Sequence, residues 1–269
     1  MTPLFIDGRA GPLFILYHEP APEARPRGAL ILVPPFAEEL NRSRHMLAKA
    51  ARRLAAKGWH VVILDLYGTG DSAGEFVDAR WEIWRSDILS VRHWLQNQGH
   101  ESIGMATLRT GSLLAGAVMA EAAWAPLLLW QPVLQGKTFL TQFLRVGLAA
   151  NLNSGGEGSA SVGSLRERLA SGEILEIAGY ELHPALAEAL DAASLAPDTS
   201  WPQPLHCVEV NAQAATLTPG LARAIEAWRA EGVKVEALAV QGPQFWTLQE
   251  PEWADALIDA SCSMLEDTP

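Results

Sequence analysis

Four apolar runs constrain the architecture of this chain more than any other feature: ALILVPPF (29–36), the first half of HVVILDLYGTGDS (60–72), SIGMATL (102–108) and APLLLWQPV (125–133). None alternates polar with apolar residues, as a strand with one wet face does. Strands of this kind are buried on both faces and belong to parallel sheets covered by helices on each side. Parallel neighbours cannot be joined by a tight turn, so helix-length crossovers must lie between them. SRHMLAKAARRLAAKG (43–58) has helical spacing and stops at Gly58. WEIWRSDILSVRHWLQNQG (81–99) can turn Ile83, Ile88, Val91 and Leu95 toward a core and closes at Gly99. GSLLAGAVMAEA (111–122) follows the third run. The expectation is an α/β fold with a mostly parallel, doubly wound central sheet flanked by helices.

LFILYHEP (13–20) alternates and reads as one or two antiparallel edge strands, with a Pro-rich turn after it. The strand–helix rhythm breaks at residue 136. GKTFLTQFLRVGLAANL (136–152) is an amphipathic helix, SGGEGSASVG (154–163) is small and polar with the composition of a mobile loop, and EILEIAGYELHPALAEALDAASL (173–195) reads as a short strand and a helix. The rhythm resumes with PLHCVEVNA (204–212), TPGLARAIEAWRAEG (218–232), VKVEALAV (233–240) and a terminal helix near 251–265. Residues 1–135 and 201–269 are therefore expected to form the core, and 136–200 a small, mainly helical cap.

A chain of 269 residues can bury one large core, and 49% hydrophobic residues exclude a disordered or fibrous protein. A net charge of −11 argues against a general nucleic-acid surface. No apolar stretch is long enough to span a membrane, and the first residues lack the cationic start of a secretion signal. Two cysteines, Cys207 and Cys262, cannot make a disulfide framework, which favours the cytoplasm and leaves a single bridge open. No His/Cys cluster has zinc spacing, and GKT (136–138) lacks the glycine of a phosphate loop, so no metal or cofactor is expected.

The ends of the apolar runs resemble a known superfamily. ALILVPPFAEE resembles the strand and oxyanion loop of α/β-hydrolases, DLYGTGDS (65–72) their Asp-x-x-Gly-x-Gly-x-Ser turn, and SIGMATLRTGSLLA their nucleophile elbow with its helix. The resemblance spans nearly the whole chain. More narrowly, PPFAEELNRSRHM, DLYGTGDSAGEF, LRTGSLLA, WQPVLQGKTFLTQFL and GPQFW resemble the hydrolase-like proteins associated with exosortase A gene clusters. Those clusters are linked to exopolysaccharide production and to sorting of proteins with a C-terminal Pro-Glu-Pro signal. The resemblance thus implies a role, and a protein partner, in such a system; fold does not fix function.

The positions that carry chemistry in that superfamily are altered here. The elbow reads TLRTG (107–111), with Arg109 in the nucleophile's place. A guanidinium stays protonated and is no nucleophile. The loop after HCVEV, NAQAATLTP (211–219), holds no Asp or Glu, nor does LLLWQPVLQG, which in some hydrolases supplies the acid. The base position reads QGPQFWT (241–247), and no histidine follows His206. With all three positions changed, a Ser-His-Asp machine is excluded as the expectation.

What remains is a candidate anion site. The backbone N–H groups of Phe36 and Thr110 occupy oxyanion-donor positions, Arg109 adds a full charge, and Phe245 and Trp246 follow the last strand. Glu38 and Glu39 follow the first parallel strand, where ligands bind in open α/β sheets. Either can pair with Arg109. Either can act as a general base if burial raises its pKa, although Arg109 would work against that. Trp81 and Trp84, with Phe245 and Trp246, read as packing residues or as a sugar-stacking platform. His183 could swing in from the cap, and Ser161 superficially matches an elbow motif. Three readings stay open: a binder of a small anionic ligand, a hydrolase using a Glu-activated water, and a scaffold that docks a partner protein through the cap.

Overall fold

The computed structural model describes residues 1–153 and 161–266, with side chains left undescribed at 150–153. β1 (Thr2–Asp7) and β2 (Pro12–His18) form an antiparallel hairpin at one edge of the sheet. The core then alternates β3 (Ala29–Val33), α1 (Glu38–Ala56), β4 (His60–Leu64), α2 (Trp81–Asn97), β5 (Ile103–Leu108), α3 (Gly111–Val118) and β6 (Leu127–Trp130). Next come α4 (Gly136–Asn153), α5 (Val162–Ala170), a small hairpin of β7 (Leu175–Ile177) and β8 (Tyr180–Leu182), and α6 (Pro184–Ala192). The chain returns to the sheet with β9 (Leu205–Asn211), α7 (Pro219–Ala230), β10 (Val235–Gln241) and α8 (Asp255–Met264).

The eight-stranded sheet has the order β1-β2-β4-β3-β5-β6-β9-β10 and is parallel from β4 to β10. One face packs on α2, α3 and α7 through residues such as Ile31, Val62, Ile88, Leu114 and Ile225. The other packs on α1 and α8 through Leu32, Leu47, Leu54, Leu128 and Leu257. Every residue of β3 and β5 is buried, which explains why their sequences do not alternate. The strand order reverses at β3, between β4 and β5. In open α/β sheets the crevice outside the carboxyl ends of the strands at such a reversal binds ligands.

Several boundaries differ from the sequence expectation. α1 starts at Glu38 rather than at residue 43. Its first turn is polar and makes no apolar stripe, yet Glu38 and Glu39 favour a helix N-terminus by opposing its positive end. α5 begins at Val162, inside the expected loop, and runs on through residues for which no element was expected. Ser161, the elbow-like serine, is its N-cap, accepting from the Ser164 amide at 3.1 Å. Residues 154–160 of that expected loop fall outside the described residues. The strand expected before α6 is a hairpin, turned at Ala178 (φ 52°) and Gly179 (φ 85°). Ile83 is half-buried, while Trp81 and Trp84 take the buried face of α2. Cys207 and Cys262 are free and buried, so no bridge joins them. Among the described residues no helix is long and apolar enough to cross a membrane.

A charge is buried beneath this core. Asp87 on α2 has no exposed surface; one carboxyl oxygen accepts from the Tyr67 amide at 2.8 Å and the other has no partner. Loss of hydration pushes its pKa up to about 7, against the small opposing pull of that hydrogen bond. The folded state then holds a proton that the unfolded chain releases above about pH 4. Stability from this group is highest at low pH and declines as pH rises to about 7, by a few kcal/mol at most. Urea denaturation at pH 5 and pH 8 should therefore show a loss on going to pH 8 that is smaller in Asp87→Asn than in the wild type.

Candidate functional site

The turn from β5 into α3 is the structural centre of the site. Arg109 occupies it with φ 53°, a left-handed conformation that costs a non-glycine residue on the order of 1–2 kcal/mol. The turn is fixed by hydrogen bonds from the Arg109 amide to the Trp130 carbonyl (3.0 Å) and from Ser112 Oγ to the Arg109 carbonyl (2.7 Å) and the Val133 carbonyl (3.2 Å). Ser112 is thereby fully buried as a strut of the turn. Gly111 is required because a Cβ there would lie 2.6 Å from the Val33 carbonyl and 2.9 Å from that of Pro34. This close approach seats the N-terminus of α3 against the exit of β3 and brings Arg109 to the start of α1.

There Arg109 meets Glu39. Nε lies 3.2 Å from Oε1 and 3.3 Å from Oε2, and Nη2 lies 3.1 Å from Oε1. The side chains are 18% and 20% exposed, so solvent screens the pair only in part. The guanidinium also lies over the Trp246 ring, 5.5 Å from its centre. Among the described residues Arg109 Nη1 has no hydrogen-bond partner, so one edge of the fork is free. Burial raises the Glu39 carboxyl above its usual range, outweighing the pull of Arg109 and, more weakly, of Arg42. The sequence expectation that Arg109 would set the direction is thereby reversed.

Glu38, one residue earlier, faces other partners. It accepts from Tyr180 Oη of β8 at 3.0 Å, from Asn41 at 3.3 Å and from Arg42 Nε at 3.4 Å. Burial and the Glu38 charge push the Tyr180 hydroxyl up to about 12, so it stays a donor. Arg42 also donates from Nη1 to the Thr247 carbonyl. A cavity of about 540 Å³ opens among these groups. Its polar end is Glu38, Glu39, Arg42 and Arg109, and its apolar walls include Phe36, Phe139, Phe143 and Trp246.

The sequence candidates separate on this geometry. Phe36, Glu38, Glu39, Arg109 and Trp246 line one cavity. Phe245 does not: in the 3-10 turn Phe245–Thr247 its ring is 1% exposed and packs beneath Trp246. Thr110 is the buried N-cap of α3, and its side chain lies outside the cavity. Trp84 is buried, with its indole N–H on the Tyr67 carbonyl at 2.9 Å, and Trp81 borders a separate cleft beside Arg9 and Arg80, so neither lines the cavity with Trp246. His183 caps α6 by accepting from the Ala185 amide and does not line the cavity. Asp65 and Ser72 hold the DLYGTGDS turn: Ser72 Oγ donates to the Asp65 carbonyl at 2.5 Å and accepts from the Phe14 amide at 2.8 Å.

Sequence reasoning missed the wall supplied by the segment between β6 and β9. Phe139, Gln142, Phe143 and Val146 recur at i, i+3, i+4 and i+7 along α4, a stripe visible in the sequence. Tyr180 carried no such signal. Among the described residues no group of three or more His, Cys, Asp and Glu is arranged to hold a metal.

Comparison with known proteins agrees with this architecture. The family model for X-Pro dipeptidyl-peptidase (S15 family) matches residues 16–123, the stretch holding both the Glu39 loop and the elbow. A search of curated protein sequences finds no match. Among solved structures, Est1E from Butyrivibrio proteoclasticus with bound ferulic acid is similar at a TM-score of 0.62 and 15% identity, over 98% of this chain and 96% of that one. An α/β serine hydrolase without lid from Xanthomonas campestris gives 0.56 and 14%, over 98% and 91%. A hypothetical protein from Pseudomonas aeruginosa gives 0.65 and 13%, over 100% and 93%. The chain has the α/β-hydrolase fold.

The elbow geometry makes one structural prediction. Gly111→Ala drives a methyl group into two backbone carbonyls, and overpacking of this kind costs about 1–3 kcal/mol. Its denaturation midpoint in urea should fall sharply relative to the wild type.

Proposed function

We propose that this protein is a non-hydrolytic α/β-hydrolase-fold binder that holds a small anionic ligand with an apolar body. The observation that carries this reading is Arg109: it stands in the nucleophile's strained turn, faces a cavity and keeps one edge of its guanidinium free. A carboxylate or phosphate on that edge would receive two parallel N–H donors. Aromatic walls and a few converging polar groups are the usual make-up of a small-molecule pocket. The ferulic acid held by the Est1E relative, an aromatic carboxylic acid, suggests a first probe.

Residues 136–200 act in this reading as a cap over the core segments 1–135 and 201–269. Support comes from α4 and Ala178 lining the cavity and from the Tyr180–Glu38 hydrogen bond between them. The motif resemblance to exosortase-associated proteins points to exopolysaccharide production or protein sorting as the setting, in which the cap surface would dock a partner. The buried free cysteines support a cytoplasmic location.

A second reading is favoured by one observation. The raised Glu39 carboxyl is closer to the range of a general base, so a Glu-activated water could attack an ester. Its pairing with Arg109 occupies both carboxylate oxygens and works against that role.

Calorimetric titration with ferulate and with decanoate separates the readings. Wild type should bind at least one of them. Arg109→Ala should weaken binding more than tenfold, and Arg109→Lys, which keeps charge but loses the planar fork, should fall between. Equal affinity in Arg109→Ala removes the proposal. Turnover of a panel of activated esters should stay at background, and turnover that Glu39→Gln abolishes would establish the hydrolase instead.

A further inference from the structure

Resting on the anionic-ligand reading, we infer that the cavity takes up an apolar monocarboxylate together with one proton, which is held on Glu39. The charges at the polar end already balance. Two acids, Glu38 and Glu39, face two arginines, Arg42 and Arg109. Helix α4 adds Gln142 to the lining and no ionisable side chain, and the turn after β10 adds Trp246 and Thr247. Tyr180 of β8 stands outside the lining and donates a hydrogen bond to Glu38. A carboxylate arriving on the free edge of Arg109 would leave one uncompensated negative charge between aromatic walls, where hydration is poor.

Of the two acids, Glu39 is the one placed to absorb that charge. Glu38 keeps donors from Tyr180, Asn41 and Arg42, and its side chain is 46% exposed. Its charge is solvated and bonded whatever enters the cavity. Among the described residues Glu39 takes side-chain hydrogen bonds from Arg109 alone. When the ligand shares Arg109, the attraction that keeps Glu39 ionised is divided between two anions. Two carboxylates on one cation cannot both stay ionised cheaply, and one takes a proton from solvent. The Glu39 carboxyl then gains an O–H and becomes a donor to the incoming carboxylate. Burial has already raised Glu39 toward that state before any ligand binds. A phosphate dianion would add a second charge that Glu38, already exposed and bonded to Tyr180, Asn41 and Arg42, is not placed to absorb, so the fit is to monocarboxylates.

By linkage, a proton taken up on binding makes affinity fall as pH rises, by up to about tenfold per unit. Calorimetry of the full chain with decanoate and ferulate, in two buffers of different ionisation enthalpy between pH 6 and pH 8, counts the protons directly. Wild type should take up close to one proton per ligand near neutral pH. Glu39→Gln, neutral from the start, should bind with no uptake and a flat pH profile, and should bind more tightly than wild type at pH 8. Wild-type binding with no proton uptake overturns the inference and leaves the anionic-ligand reading standing. Binding of neither probe overturns that reading, and the inference with it. Should Glu39→Gln fail to fold, the two-buffer count on wild type decides alone.

Discussion

The hydrogen-bonded pair of Arg109 and Glu39 is the contact through which the two halves of the site are joined. It links the loop after β3 to the turn after β5, across the point where strand order reverses. It exists because Gly111 lets α3 approach the backbone of Val33 and Pro34. It also resolves an electrostatic conflict. A cation just before the N-terminus of α3 sits in an unfavourable field, because the helix end is itself positive; Glu39 in the first turn of α1 sits in a favourable one. Each group is tolerable because of the other. A half-buried pair of this kind contributes little net stability, yet removing one partner leaves a poorly hydrated charge that costs more than the pair provides.

That asymmetry bears on how the site works. Because the pair is near neutral overall, the cavity is no strong anion trap. For the proposed ligand, discrimination would come from what lies beyond the charge: the edge of the guanidinium left free by Glu39, the Trp246 ring under Arg109, and the phenylalanine walls. Phe36 makes edge-to-face contacts with Phe76, Trp84, Phe139 and Phe143, tying the loop after β3 to α2 on one side and to α4 on the other. The segment that leads into Glu39 at the start of α1 is thus held by aromatic packing, and the charged pair is presented on a rigid base.

How much of this was legible in the sequence follows from which signals are local. The fully apolar strands announced a covered parallel sheet because burial on both faces leaves no alternation to read. Arg109, Glu38 and Glu39 were legible because strand ends place residues reliably at one edge of a sheet. Other features depend on side-chain direction, which the sequence does not display. Phe245 and Trp246 are neighbours, but in a 3-10 turn one ring goes under and the other faces the cavity. Glu39 was expected to be held low by its arginine, and its burial reversed the sign. Tyr180 reaches Glu38 across 142 positions of chain, a contact that no window of sequence reveals.

In hydrolases the triad acid follows the strand that β9 matches, and here the loop after it, residues 211–219, holds no Asp or Glu. β9 does carry a buried carboxylate, Glu209, two residues before its end. It is not free for proton transfer. It accepts from the Thr218 amide at 2.6 Å, from Thr218 Oγ1 at 2.8 Å and from Gln131 Nε2 at 3.3 Å. Gln131, itself left-handed at φ 44°, accepts from the Val210 amide at 2.8 Å. Glu209 and Gln131 instead form a brace between the exits of β6 and β9. The elbow beside it keeps the backbone strain that in a hydrolase exposes a nucleophile, but displays a guanidinium. Strain of this kind persists where surrounding structure enforces it, and here Gly111, Ser112 and the Gln131–Glu209 brace do so. Under the proposed binding role, the turn that aims a side chain into the cavity would serve recognition rather than attack, because the guanidinium it displays is no nucleophile.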